Sequence, residues 1–88
     1  MTEAQVVVVN ELGIHARPAS LLVQTAKTFK SKVWLEKDGM TADAKSIMSV
    51  MMLAAARDSR VRIRADGEDE EAAVAAMAYH FENKFNES

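Results

Sequence analysis

The 88-residue chain contains no cysteine, which excludes disulfides and thiol chemistry and fits a reducing cytoplasm, the expected location. One proline and three glycines leave no room for a linker, and there is no repeat or low-complexity tract. Long apolar runs are also missing, so no membrane insertion is expected. The opening Met1-Thr2-Glu3-Ala4-Gln5 carries no basic stretch ahead of an apolar core, so no signal peptide is expected. Nor is there an excess of basic charge. The net charge is −2, which argues against a nucleic-acid partner, because such partners select a basic footprint. What the chain does have is 49% hydrophobic residues. That suffices for one domain, residues 1–88, with one core and no need of a metal or cofactor.

Val6-Val7-Val8-Val9 is a β-branched run and reads as the first strand. A turn over Asn10 to Gly13 leads into a helix from about Ala16 to Thr28, with Leu22, Val23 and Ala26 inward. Val33 and Leu35 alternate with Lys32, Trp34 and Glu36 as a strand. Asp38-Gly39 is a tight-turn pair, so a hairpin returns through Met40 to Asp43. A second amphipathic helix follows Ser46, prolonged by Ala54-Ala55-Ala56. Val61, Ile63 and Ala65 alternate with Arg60, Arg62 and Arg64 as the last strand. Glu68 to Glu71 load acid onto the start of a third helix, with Ala73, Val74, Met77, Ala78 and Phe81 as its apolar stripe. The order βαββαβα implies an α+β fold: a four-stranded antiparallel sheet covered on one face by three helices. Trp34 and the arginine row then face water, with Trp34 expected near Arg62. The arginines read as a solvated face, because nearby acids leave the chain net negative.

Gly13-Ile14-His15-Ala16-Arg17-Pro18-Ala19-Ser20 carries the chemistry. Gly13 can turn the chain out of a strand, and Pro18 fits the first turn of a helix. His15 is therefore expected at the N-cap. There it faces free backbone N–H groups and the positive end of the helix dipole, which favour a neutral, nucleophilic ring and would stabilise an anion attached to it. Arg17 can set a guanidinium against the same anion. Together with the N–H groups of Ala16 and Arg17, these residues suffice for a phosphorylatable histidine. The plain alternative is a polar helix cap beside a solvated arginine.

This stretch, followed later by Lys45-Ser46-Ile47-Met48, resembles HPr, the histidine-containing phosphocarrier family of the bacterial phosphoenolpyruvate:sugar phosphotransferase system. The resemblance spans essentially the whole chain. It implies an open-faced β-sandwich and a phosphocarrier that is not a free-standing enzyme. It also implies phosphorylation of His15 on Nδ1 by enzyme I, with Arg17 contacting the phosphate, and onward transfer to a sugar-specific IIA protein or domain. Ser46 matches the serine modified by an HPr kinase/phosphorylase, which brings carbon catabolite regulation and a catabolite-control transcription factor within reach. One departure is plain: the segment after the second helix is often glycine-rich in the family, and here it is Ala54-Ala55-Ala56-Arg57-Asp58.

Six methionines are many for so short a chain. Met48, Met51 and Met52 on the second helix either fill core gaps or are in part exposed beside His15, where Ile14, Ser20, Leu21, Ile47, Met48 and Met51 are the expected adaptable docking patch. A nitrogen-related phosphotransferase paralogue shares the histidine and stays open as an alternative. A small α/β RNA-binding module fits poorly, because only Trp34 is available to display on the sheet. A histidine hydrolase lacks an obvious orienting acid near His15 other than Glu11. His80 reads as a surface helix residue, and two histidines alone imply no metal site. The chain is expected to be monomeric.

Overall fold

Period-two alternation builds a sheet from β1 (Thr2–Val7), β2 (Lys32–Lys37), β3 (Met40–Asp43) and β4 (Arg60–Asp66). The computed structural model describes residues 1–86. Strand order is β1-β4-β2-β3, antiparallel throughout. Val33, Leu35, Ala42, Val61, Ile63 and Ala65 point to the helix-covered face and are buried. The helices are α1 (Ala16–Lys27), α2 (Ile47–Met52) and α3 (Glu70–Glu82). Leu22, Val23 and Ala26 of α1 and Ala73, Val74, Met77 and Phe81 of α3 close the core over the sheet. A left-handed turn at Lys84–Asn86 adds Phe85, whose ring meets Phe81 edge-on at 5.0 Å.

The valine run marks only the end of the first strand, through Val6 and Val7. β1 covers Thr2–Val7, so Thr2, Glu3, Ala4 and Gln5 lie inside it and Val8 and Val9 lie beyond. The ladder to β4, from Thr2 opposite Ala65 to Val7 opposite Arg60, overrides local propensity. On the open face Arg64, not Arg62, stands opposite Trp34, and Trp34 is half-buried rather than fully exposed. Arg62 and Arg64 are partnered by acids. Arg64 Nη1 lies 3.2 Å and Arg62 Nη1 3.5 Å from the Glu36 carboxylate, and Arg64 Nε lies 2.9 Å from Glu3.

The second helix is also shorter than its alanines suggest. It ends at Met52, and Ala54 turns left-handed at φ +49°. Alanine propensity of a few tenths of a kcal/mol per residue loses here to tertiary bonds. Lys37 Nζ donates to the carbonyls of Leu53 at 3.1 Å and Ala54 at 3.3 Å, satisfying helix-end acceptors. The next carbonyl, Ala55, accepts the N–H of Ile14 at 2.9 Å. Gly13 presses on the same spot. At its φ of +69°, an added Cβ would lie 2.5 Å from Ala55 O and 3.0 Å from Ala56 Cα. Farther along, Val8 exchanges backbone bonds with Ser59 (2.9 Å) and Asp58 (2.7 Å). The loop after β1 is thus stitched to the loop before β4.

Beyond the C-terminal end of α1 a carboxylate makes the stitch. Asp69 sits at the N-cap position of α3, yet its side chain does not cap that helix. It accepts instead from the Ser31 hydroxyl and from the N–H groups of Lys30 and Ser31, each 2.9 Å away. These bonds, the Ser31 hydroxyl foremost, hold its carboxyl at a pKa of about 2. Glu70 is likewise lowered to about 2, chiefly by the Thr2 hydroxyl at 2.6 Å and then by the N–H of Gly67.

Two predictions follow from these contacts. In the unfolded chain both acids bind protons near their ordinary values of 3.8 and 4.5. The stability they contribute is therefore complete above those values and is lost as pH falls toward about 2. Asp69→Asn should flatten the acid limb of a melting-temperature profile in that window, and an unchanged slope would count against the assignment. Gly13→Ala should cost at least about 1–2 kcal/mol from left-handed strain alone, before the clash with Ala55. Ala54→Gly removes the same strain and should shift the urea midpoint upward. Equal midpoints for all three proteins would show that neither backbone position matters.

Candidate functional site

The stitched loop delivers His15 to the start of α1. Gly13 N–H donates to Asn10 O at 3.2 Å, and the buried Asn10 side chain returns an Nδ2–H bond to Gly13 O at 2.6 Å. Ile14 then enters the core, only 6% exposed. His15 follows with extended angles, φ −96° and ψ −164°, as the N-cap of α1. Its carbonyl accepts the N–H of Ala19 at 3.0 Å. The imidazole makes no capping bond to the helix.

Ala16 and Arg17 are the first two helical residues, both exposed. Their N–H groups lie in the turn where a helix has no internal acceptors, and Pro18, buried next to them, has none to offer. Arg17 immediately precedes Pro18 yet is helical; the first turn tolerates it although that position disfavours helical angles. Its guanidinium forms no ion pair within the described residues. The arrangement offers two N–H donors, a dipole and a cation on one turn beside a half-exposed imidazole, a setting suited to an anion carried on the ring.

Ser46 is the N-cap of α2, and its Oγ accepts the N–H of Ser49 at 3.3 Å. The neighbouring Lys45 anchors this corner by donating from Nζ to Phe29 O at 2.9 Å. On α2 only Val50 is buried, followed by Leu53 at the C-cap. The opposite face is apolar too and lies in solvent: Ile47 is 44% exposed, Met48 72%, Met51 43% and Met52 67%. The exposed alternative for the methionine stripe is therefore the one observed: Met48, Met51 and Met52 all lie in solvent beside Ile47. The α1 side of the patch differs from expectation. Ile14, expected at the surface of the patch, lies in the core, with its N–H bonded to the Ala55 carbonyl. Leu21 is half-buried against the core, and Ser20, also half-buried, accepts a bond from Gln24 at 3.1 Å. Of the six methionines only Met77 is buried, so core filling does not explain their number.

His80 is not a plain surface residue. Its Nε2 lies 2.7 Å from Thr25 Oγ1, its ring stacks near Phe85 at 6.4 Å, and burial lowers its pKa. It joins α3 to α1. Sequence periodicity missed it because Thr25 and Phe85 are distant in the chain. No group of three or more metal-binding side chains occurs among the described residues, and no helix there is long and apolar enough to cross a membrane.

The family model described as "PTS HPr component phosphorylation site" matches residues 2–83. The phosphocarrier protein HPr of Xylella fastidiosa strain 9a5c is 48% identical over 87 residues, covering 99% of this chain and 98% of its own. The crystal structure of an HPr from Thermoanaerobacter tengcongensis superposes with a TM-score of 0.96 at 44% identity, covering 100% of this chain and 99% of that one. An HPr from the same organism has also been solved as a dimer, with a TM-score of 0.77 at 45% identity over 97% of this chain and 98% of that one. Monomeric state therefore does not carry over from the relatives. Whole-chain identity at this level, on the same open-faced sandwich, establishes that this chain belongs to the HPr family of phosphocarrier proteins of the phosphotransferase system.

Proposed function

We propose that His15 is the phosphoryl acceptor, loaded by enzyme I from phosphoenolpyruvate and unloaded onto sugar-specific IIA proteins or domains in the cytoplasm. The observation that carries this reading is the placement of His15 at the N-cap of α1, two residues before the exposed Arg17. Nδ1 attacks phosphorus as the bond to the donor breaks, and the transferred group comes to rest before the N–H groups of Ala16 and Arg17. The Arg17 guanidinium offsets its charge. One cation and two amides form a weak cage, which suits a carrier that must also release its cargo. The partners supply the rest of the catalytic groups, so the chain acts as a relay and not as an enzyme by itself.

The docking surface is Ile47, Met48 and Met51 on α2, with Ser20 and Leu21 from α1. Ile14 supports it from below. Ser46, at the end of this surface, serves as the regulatory serine, modified by a kinase/phosphorylase and read by a catabolite-control transcription factor. A phosphate there would sit at a helix start, which tolerates it, so the fold need not change. It would also put negative charge beside Ile47 and Met48, where desolvation during docking is costly.

His15→Ala should abolish labelling from phosphoenolpyruvate and enzyme I while melting like wild type; label found on another residue would overturn the assignment. Arg17→Ala should still be labelled, more slowly, by about 1–3 kcal/mol of barrier. Ser46→Asp should keep the melting temperature and accept phosphate at a much lower rate. Equal rates for Ser46→Asp and wild type would leave Ser46 with its capping role alone.

A further inference from the structure

The outward face of α2 is chemically unusual. Three of its six residues are methionines, at spacings of three and four that place Met48, Met51 and Met52 on one side. All three are exposed, whereas Met77 has no accessible surface. With no cysteine in the chain, thioethers are its only sulfur. Outside α2, Met1 and Met40 are also exposed. The Met1 sulfur accepts a bond from Arg64 Nη2 at 3.2 Å, which ties up sulfur electron density, and Met40 lies on β3, in the edge strand of the sheet.

We propose that Met48, Met51 and Met52 form a peroxide-sensitive modification site whose reversible oxidation to sulfoxides weakens docking at the α2 face. The consequence for docking rests on the function proposed above. A sulfur lone pair attacks one peroxide oxygen: an S–O bond forms, the O–O bond breaks, and the other oxygen leaves as water after taking up a proton. Each sulfur loses two electrons and each peroxide gains two. The product side chain is polar and chiral, with a strong acceptor where an adaptable apolar surface stood. The fold is indifferent to the change, because Val50 and Leu53, on the inward side, attach the helix to the core. The histidine loop is indifferent too, since its link to this region runs through the Ala55 backbone. Oxidation should therefore raise the KM of enzyme I for this protein and leave kcat and the melting temperature alone.

The intact protein is exposed to hydrogen peroxide, and sulfoxides are mapped by peptide mass spectrometry over time. Enzyme I kinetics and melting are measured before oxidation, after it, and after methionine sulfoxide reductases of both epimer specificities. The triple variant Met48→Leu, Met51→Leu, Met52→Leu is treated in parallel and judged by its own treated-to-untreated ratio. The expected result is early oxidation of Met48 and Met52, then Met51, with Met77 intact. KM should rise several-fold, the reductases should restore it, and the triple variant should show a ratio near one. Sparing of the α2 sulfurs, an unchanged KM once they are oxidised, or an equal loss in the triple variant would each overturn the proposal. A protein that takes no phosphate before any peroxide is added would instead overturn the function proposed for His15, and the oxidation map would still decide whether the site exists.

Discussion

Much of this molecule depends on one backbone contact, the Ile14 N–H to Ala55 carbonyl bond with Gly13 pressed against the same peptide. It joins two loops that lie some forty residues apart in the chain. Because Gly13 has no Cβ, the two backbones can close to a distance that any side chain would prevent. Three consequences share this cause. Ile14 is drawn into the core, His15 is left at the mouth of α1 with extended angles, and α2 must stop before the alanines that would otherwise extend it. A hydrogen bond of this kind is worth only about 1 kcal/mol net. Its larger effect is geometric, since it sets where the first turn of α1 begins.

The anchoring contacts and the proposed transfer site lie at opposite ends of α1. A twelve-residue helix is about 18 Å long. At its N-terminal end stand His15, half-exposed, and Arg17, exposed. Toward and beyond its C-terminal end are the Asp69 clamp on Ser31 and the His80 contact with Thr25. The strongly shifted carboxylates belong to that second set and not to the site. Protons that titrate the anchoring groups thus act at a distance from His15.

The second helix illustrates a compromise between folding and recognition. Six residues make a marginal helix on their own. It is held by Val50 and Leu53 inside, the Ser46 hydroxyl at one end and the Lys37 ammonium at the other. That leaves the outward face free of any structural duty, and it is filled with methionine and isoleucine. Flexible thioethers can repack against several partners at low cost. Polarizable, accessible sulfur is also what makes such a surface open to oxidation.

Local sequence determined a good deal of this protein. The alternation at Val33–Leu35 and Val61–Ile63, the Asp38-Gly39 turn, the start of α1 at Ala16 and the N-cap places of His15 and Ser46 all arise from neighbouring residues, so they could be read directly. The site motif was equally legible, because its chemistry lies within five consecutive residues. Tertiary structure alone decided the rest. It put Thr2–Gln5 into β1 through the ladder to β4, ended α2 at Met52, set Arg64 opposite Trp34, buried Ile14 and gave His80 its partner. Each of these turns on a bond or contact between residues far apart in the chain. No local propensity, worth tenths of a kcal/mol per residue, encodes such partners or outweighs them once they meet.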